Sequence, residues 1–293
     1  MTNAEIHPQH QRLAARLKAL RQAAGLSAAA LGQPFGWSQS KTSKMENGQS
    51  ALVIADIERW LDAVRADDDE RTEVLSLARE TGTRVRPWRN SDRPDGATQQ
   101  QARGHRDAET SGIGVYQSEV VPGLLQTPDY ARRLLEVHSL LPADEIPAAV
   151  LARLNRQTVL FDESKQFDLV ITETALRWRP GPLSVTFAQL DRIALLAGQP
   201  NVRIGVLSRE TQERCEARPL HSFVLLRYAD APATVEIETL TAEQEVTEPA
   251  DVALYEQFLH EQQELAEHGP ALLALLDHIR EDLRHRQAAT NDG

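Results

Sequence analysis

A single cysteine, Cys215, stands in a chain of 293 residues. One thiol excludes an internal disulfide framework and fits a reducing cytoplasm. No apolar run approaches the roughly 18 residues of a membrane span. The N-terminus lacks the apolar core of a signal peptide, and Met1 to His10 is expected to be a loose tail. Catalytic signatures are missing as well. There is no Gly-x-Ser-x-Gly elbow, and Gly112-Ile113-Gly114 does not extend to a dinucleotide fingerprint.

The remaining chemical candidates are incomplete. His260-Glu261-Gln262-Gln263-Glu264 starts like a zinc-protease helix but has Glu264 in place of the second histidine. His278 and His285 lie two helical turns apart with Asp282 between them, without a third strong ligand. Asp162, Glu163, Asp168 and Glu173 flank a strand, where carboxylates are usually solvated. Asp67-Asp68-Asp69 suits a helix N-terminus better than a metal. Arg209, Arg214 and Arg218 near Cys215 could lower its pKa, but an idle thiol is the simpler reading. The expectation is a protein that is not an enzyme, with no cofactor and no metal site.

The formal net charge of -11 argues against nucleic acid when taken whole. Its distribution reverses that. Residues 11 to 50 hold Arg12, Arg16, Lys18, Arg21, Lys41 and Lys44 against Glu46 alone, a net of +5, whereas residues 113 to 293 carry a net of -12. A local basic face on an acidic protein is an electrostatic footprint for DNA.

The centre of that basic segment is Leu26 to Gly48. Ser27 caps a first short helix toward Gln33, with Ala29, Ala30 and Leu31 expected to face inward. Pro34 to Trp37 break it. Ser38 caps a second helix that runs to Asn47, where Gly48 supplies a left-handed stop. Its outward positions are Gln39, Ser40, Lys41, Ser43 and Lys44. Amide, hydroxyl and ammonium groups at the start of a helix suit the major groove. The plain alternative is a helical hairpin with a solvated face.

Gly36-Trp37-Ser38-Gln39-Ser40-Lys41, followed by Met45-Glu46-Asn47-Gly48, resembles the recognition-helix signature of Cro/CI-type (XRE) regulators. The resemblance covers about residues 10 to 78. It implies a five-helix, lambda-repressor-like domain. Gln39, Ser40, Ser43 and Lys44 become candidate base readers, and Ser38, Lys41 and Asn47 candidate phosphate neighbours. Three positions depart from the pattern. Pro34 interrupts helix two, Thr42 stands where Val or Ile packs, and Ala28 replaces a polar phosphate contact. A shortened second helix and a weaker backbone clamp are therefore expected.

Leu13, Leu17 and Leu20 place a first helix over Gln11 to Ala24. Ile54, Ile57, Trp60, Leu61 and Val64 mark a fourth over Ile54 to Val64. A fifth follows Asp67 and carries Leu75, Leu77 and Ala78. Residues 1–80 form the helix-turn-helix domain in this reading, and 81–112 a linker rich in Pro, Gly and Gln. Arg84, Arg86, Arg89 and Arg93 flank Trp88 there, and a helix over 98 to 110 is conceivable. Residues 113–293 read as an α/β domain. Strands are expected at Gly114 to Val121, Phe167 to Thr172, Val202 to Leu207, Phe223 to Tyr228 and Thr234 to Glu238. Helices are expected from Pro128, over Ile146 to Phe161 and Val185 to Ala197, and in two long C-terminal segments. The strand–helix–strand run at 167 to 207 implies a parallel pair, and the last two strands a hairpin.

Val121-Pro122-Gly123-Leu124-Leu125-Gln126-Thr127, with Tyr130-Ala131 after it, is similar to a signature in antitoxin-like actinobacterial XRE regulators of the WhiJ type. That resemblance implies a repressor or antitoxin-like regulator working with a small partner protein encoded nearby. In structural terms Pro-Gly gives a turn, Leu124 and Leu125 plug a core, and Thr127 caps the helix that Pro128 begins. The functional alternative is a partner pocket lined by Tyr116, Leu124, Leu125, Gln126 and Tyr130. Together the sequence predicts a mainly α chain with a mixed α/β second domain, double-stranded DNA as partner, a homodimer and no membrane association.

Overall fold

Leu13, Leu17 and Leu20 recur at helical spacing, and the helix they imply is α1, Pro8–Ala23, in a computed structural model of the chain. The structure describes residues 8–48, 54–81, 83–87, 96–138, 141–212, 214 and 221–291. Contacts divide the chain into two units, residues 1–86 with 244–251 and residues 87–243 with 252–293.

The first unit holds α2 (Ala28–Gly32), α3 (Gln39–Glu46), α4 (Ile54–Val64), α5 (Asp68–Thr81) and β1 (Thr83–Pro87). Its core gathers one stripe from each helix: Leu13, Leu17, Leu31, Met45, Ile57, Trp60, Leu61 and Val74. Each such side chain contributes about 1.5–3 kcal/mol on burial. Trp60 is wholly buried, and its Nε1 donates to the Leu17 carbonyl at 3.1 Å, so its one polar atom is satisfied. Asp67 and Glu70 form a reciprocal capping box, with Glu70 N donating to Asp67 at 2.8 Å and Asp67 N to Glu70 at 3.3 Å. The Asp67-Asp68-Asp69 run is therefore a helix start, as the charge pattern suggested.

Two expectations for this unit fail. Ala29 and Ala30 are exposed, and Leu31 and Gly32 take the inward places. A five-residue helix turns too little to bury a broad face. Residues 8 to 10, expected in a loose tail, open α1; Met1 to residue 7 lie outside the described residues.

The second unit begins earlier than expected. α6 (Gly96–Glu109) buries Gly96, Gln100 and Asp107, so this part of the expected linker belongs to a packed domain. The helix conceived over 98 to 110 is thus present, and its low apolar content hid only that it packs, because its inward face is polar. Trp88, Arg89 and Arg93 lie outside the described residues, as do the side chains of Arg84 and Arg86. β2 (Gly112–Gln117) follows, two residues ahead of the expected strand. Then come α7 (Pro128–His138), α8 (Ile146–Arg156), β3 (Gln166–Thr172), α9 (Glu173–Arg177), α10 (Leu183–Leu196), β4 (Val202–Leu207) and α11 (Arg209–Gln212). β5 (Phe223–Arg227), β6 (Thr234–Glu238), β7 (Ala242–Val246), α12 (Pro249–Leu265) and α13 (Gly269–Asn291) finish the chain.

Within this unit the strands run in the order β6-β5-β2-β3-β4. β2, β3 and β4 are parallel, while β5 is antiparallel to both β2 and β6. Period-two alternation then separates two faces. Ile113, Val115, Phe167, Leu169, Ile171, Ile204 and Val206 pack with Leu190, Ile193, Leu272, Leu276 and Ile279 in the main core. Gly114, Tyr116 and Gly205 lie on the other face, toward α12 and the residues just after it. A Cβ on Gly114 would lie 2.4 Å from Leu259, and one on Gly205 would lie 2.6 Å from Ala266 and His268. The missing side chains let α12 lie close to the strands.

Candidate nucleic-acid interface

α2 and α3 are joined by a 3-10 turn, Gln33–Phe35, with Pro34 inside it. Gly36 ends that turn at φ 68°, a left-handed conformation that glycine adopts without strain. Trp37 N donates to the Gly32 carbonyl at 3.0 Å. Both helices start on a serine cap. Ser27 Oγ accepts from Ala30 N, and Ser38 Oγ accepts from Lys41 N, each at 3.1 Å. Asn47 and Gly48 close α3, with Gly48 at φ 65°.

Thr42, Met45 and Glu46 form the buried side of α3. Gln39, Ser40, Ser43, Lys44 and Asn47 lie on its exposed side, next to the exposed cap Ser38. The side-chain amide of Asn47 folds back onto Ser43, donating to its carbonyl at 2.9 Å and to its hydroxyl at 3.4 Å. Gln39, Ser40 and Lys44 therefore present their polar ends outward most freely.

Glu46, the only acid counted in the basic segment, faces inward. It is locked to Arg21 of α1 through both carboxylate oxygens, one of these bonds at 3.1 Å. That contact raises the Arg21 pKa, chiefly through the hydrogen bond to Glu46. Arg16 pairs with Glu73 at 2.7 Å. Arg12, Lys18 and Lys44 make no ion pair among the described residues, so the cationic surface is smaller than the +5 of the sequence.

Lys41 is not presented as freely as expected. Its Nζ lies 2.8 Å from Asp56 Oδ2 at the start of α4, and 4.4 Å from the centre of the Trp37 ring. An ammonium group gains from both partners, which is why it bends back along the domain.

In the second unit the VPGLLQT segment is buried, and four side chains tie down its backbone. Gln126 donates to the Val121 carbonyl at 2.7 Å, and Val121 N donates to the Tyr130 hydroxyl at 3.2 Å. Gln157 donates to the carbonyls of Gly123 and Gln126 at 3.0 and 2.8 Å. Gln189 accepts from Thr127 N and donates to the Leu125 carbonyl, both at 2.8 Å. Burial pushes the Tyr130 hydroxyl up to about 12, against the lowering effect of the Val121 bond.

The five candidate pocket residues do not share a pocket. Leu124, Leu125 and Tyr130 are in the main core, whereas Tyr116 lies on the opposite face of the sheet against Phe223 and Phe258. Strand alternation separates them: Tyr116 follows Val115 and must point away from it. Gln126 is buried beneath Arg153, whose Nη1 donates to it at 2.7 Å.

A charged network, not anticipated from the sequence, joins α6, α8 and the β6–β7 hairpin. Arg103 meets Glu238 and Glu243, Arg106 meets Glu236 at 2.9 Å, and Arg156 meets Asp107. Burial opposes the Arg103 charge, but Glu238, Glu243 and Glu236 outweigh it and raise its pKa. Burial, then Arg156 and Arg103, lower Arg153 to about 10. Arginines at positions 103, 106, 153 and 156 recur at helical spacing, which was the available sequence signal. Beside them a cleft of about 500 Å³ opens between α6 and the 3-10 turn after α8, lined in part by His105, Asn155, Asp162 and Lys165.

Glu163 is exposed, and the other carboxylates weighed for catalysis or metal binding have partners. Asp162 is held by Ser164, Asp168 by Arg227, Glu173 by Arg177 and Arg209, Glu264 by Arg203, and Asp282 by Arg177. No group of three or more metal-binding side chains occurs among the described residues. Cys215 lies outside them.

Comparison with known families agrees with this two-unit layout. Residues 101–278, more than half of the chain, match the model of a domain of unknown function, DUF5753. The chain belongs to the DUF5753 family. Residues 12–74 match a helix-turn-helix domain, which spans α1 to α5 and supports DNA as a partner of the chain. No curated protein matches. Among solved structures, one described as TrmBL2, an archaeal chromatin protein with a novel mode of DNA binding, is 14% identical. The match covers 90% of this chain and 96% of that one at a TM-score of 0.31, too low for an argument about fold. No helix among the described residues is long and apolar enough to cross a membrane.

Proposed function

We propose that this protein is a sequence-specific DNA-binding transcriptional regulator, antitoxin-like and acting as a repressor. The observation that carries the reading is the exposed side of α3, where Gln39, Ser40, Ser43 and Lys44 stand together with no acid among them. Amide and ammonium groups at such positions match the hydrogen-bonding edges of adenine and guanine in the major groove. One small domain reads only a few base pairs. A homodimer binding two half-sites about one helical turn apart supplies the rest of the specificity. The DUF5753 domain then has a binding role rather than an enzymatic one: dimerisation, partner capture or effector sensing.

Genome-wide capture of binding sites with the purified full-length protein tests this reading. An inverted repeat among the captured sites supports both sequence reading and the dimer. Recovery of no sequence above random DNA sinks it.

A second reading rests on the net charge of -12 over residues 113 to 293. In it the protein is an adaptor of the WhiJ type that neutralises a small partner protein encoded nearby, with DNA binding secondary. A complex with that partner that survives removal of residues 1 to 80 favours it. Loss of the complex on that truncation counts against it. A third reading makes the cleft between α6 and α8 an effector site. A small molecule that raises the melting temperature of the wild type but not of a His105→Leu variant supports it.

A further inference from the structure

The sequence puts Lys41 among the residues that face phosphates, on the exposed start of α3. The structure gives it two other partners. Asp56 Oδ2 lies 2.8 Å from Nζ, and the Trp37 ring lies under the ammonium group at 4.4 Å. Neither partner is loose. The Asp56 side chain is 18% exposed against 41% for Lys41. Asp56 sits in the first turn of α4, where the helix dipole favours a negative charge, and Arg59 also approaches it at 3.5 Å. Trp37 is packed between Phe35 and the buried Trp60.

We infer that Asp56 withholds Lys41 from the DNA backbone and so lowers sequence-independent affinity. The inference rests on the proposed DNA-binding function. A cation that moved to a phosphate would leave both the carboxylate and the ring. It would also leave Asp56 with Arg59 as its remaining cation and bring the carboxylate near the phosphates, and like charges at close range repel. Sequence-independent binding grows with the number of phosphates neutralised. Removing one cation from that count costs non-specific binding directly and leaves base reading by Gln39 and Lys44 untouched. In this role Asp56 and Trp37 are positioning residues, and Lys41 braces α3 against α4.

The test is the salt dependence of binding of the full-length protein to a duplex of random sequence, measured by fluorescence anisotropy. The variants are Asp56→Asn, Lys41→Gln and the double variant. Glu58→Gln removes the same charge from an exposed site on the same helix and serves as the control. Asp56→Asn is expected to steepen the slope of log K against log salt by about 0.9, the value of one added phosphate contact. It should also tighten binding several-fold beyond the control. Lys41→Gln should keep the wild-type slope, and the double variant should return to it. A wild-type slope for Asp56→Asn overturns the inference. So does a Lys41→Gln slope that is shallower on its own, because Lys41 would then already be on a phosphate. Failure of the wild type to bind any duplex at low salt removes the DNA-binding function itself. Binding with an unchanged Asp56→Asn slope removes only the role of Asp56.

Discussion

Arg21 on α1 and Glu46 on the last turn of α3 meet as two parallel hydrogen bonds, with side chains 12% and 7% exposed. This pair fixes how far α3 stands out from the rest of its domain. Arg21 also donates to the Leu26 carbonyl at 2.5 Å, so one guanidinium ties together α1, the loop before α2 and the end of α3.

Removing one member of that pair leaves the other charge nearly buried and alone. Glu46→Ala is therefore expected to destabilise the helix-turn-helix domain by about 3–5 kcal/mol. Replacing Arg21 and Glu46 together by Met should cost much less than the single change. Urea denaturation of the full-length protein, followed by tryptophan fluorescence, to which the buried Trp60 contributes, measures both.

Base reading makes a narrower prediction. Gln39→Ala should lose roughly 1–3 kcal/mol at one base pair of the operator and leave binding to random DNA unchanged. Lys44→Ala should weaken both, because a free cation also serves phosphates. Competition binding against a library of single-base operator variants separates the two outcomes.

The glutamine lock on the VPGLLQT segment predicts a stability effect rather than a functional one. Gln189→Leu strips partners from Thr127 N and the Leu125 carbonyl at once. Leaving buried backbone groups unpaired costs about 1–3 kcal/mol each. Thermal unfolding should show the loss, while the affinity for DNA at a temperature well below the transition stays as in the wild type.

Tyr130 predicts the alkaline behaviour. Its hydroxyl titrates at about 12 in the native protein, against 10.0 ordinarily. The native state thus holds a proton that the unfolded state releases, and stability falls as pH rises through that interval. The loss amounts to roughly 3 kcal/mol over the full interval. Below pH 10 the group has no effect on the pH dependence. Phenolate absorbance should show Tyr130 titrating late, and Tyr130→Phe should remove both its step and its share of the alkaline instability.

The parts of the fold that were legible in the sequence share a cause. α4 matched its expected bounds because Ile57, Trp60 and Leu61 form a strong apolar stripe, and β3 and β4 are nearly continuous apolar runs. Both serine caps of the helix-turn-helix were readable, since a hydroxyl at that position has one good backbone partner. β7 was not, and α6 was readable as a helix over 98 to 110 but not as part of a packed domain, because their inward polar and charged residues find their partners far away in the chain. Arg103 and Glu243 are 140 positions apart, and no local pattern announces such a pair. The burial of Tyr116 on one face and Tyr130 on the other was likewise hidden, because it depends on where the chain leaves β2. The same holds for Lys41. Its residue type suggested a phosphate contact, and only the approach of α4 reveals Asp56 beside it.

Gly32 carries a consequence for anyone who wishes to retarget this protein. A Cβ at that position would sit 3.0 Å from Thr42 Oγ1 and from both the Cβ and the carbonyl oxygen of Trp37. α2 and α3 are thus spaced by the absence of one carbon, and Thr42 is the side chain that fills what remains. A library built to change operator preference should vary 39, 40, 43 and 44 and keep residues 32, 37 and 42 as they are. Diversity at those three would select for tolerated helix spacings before it selected for new bases.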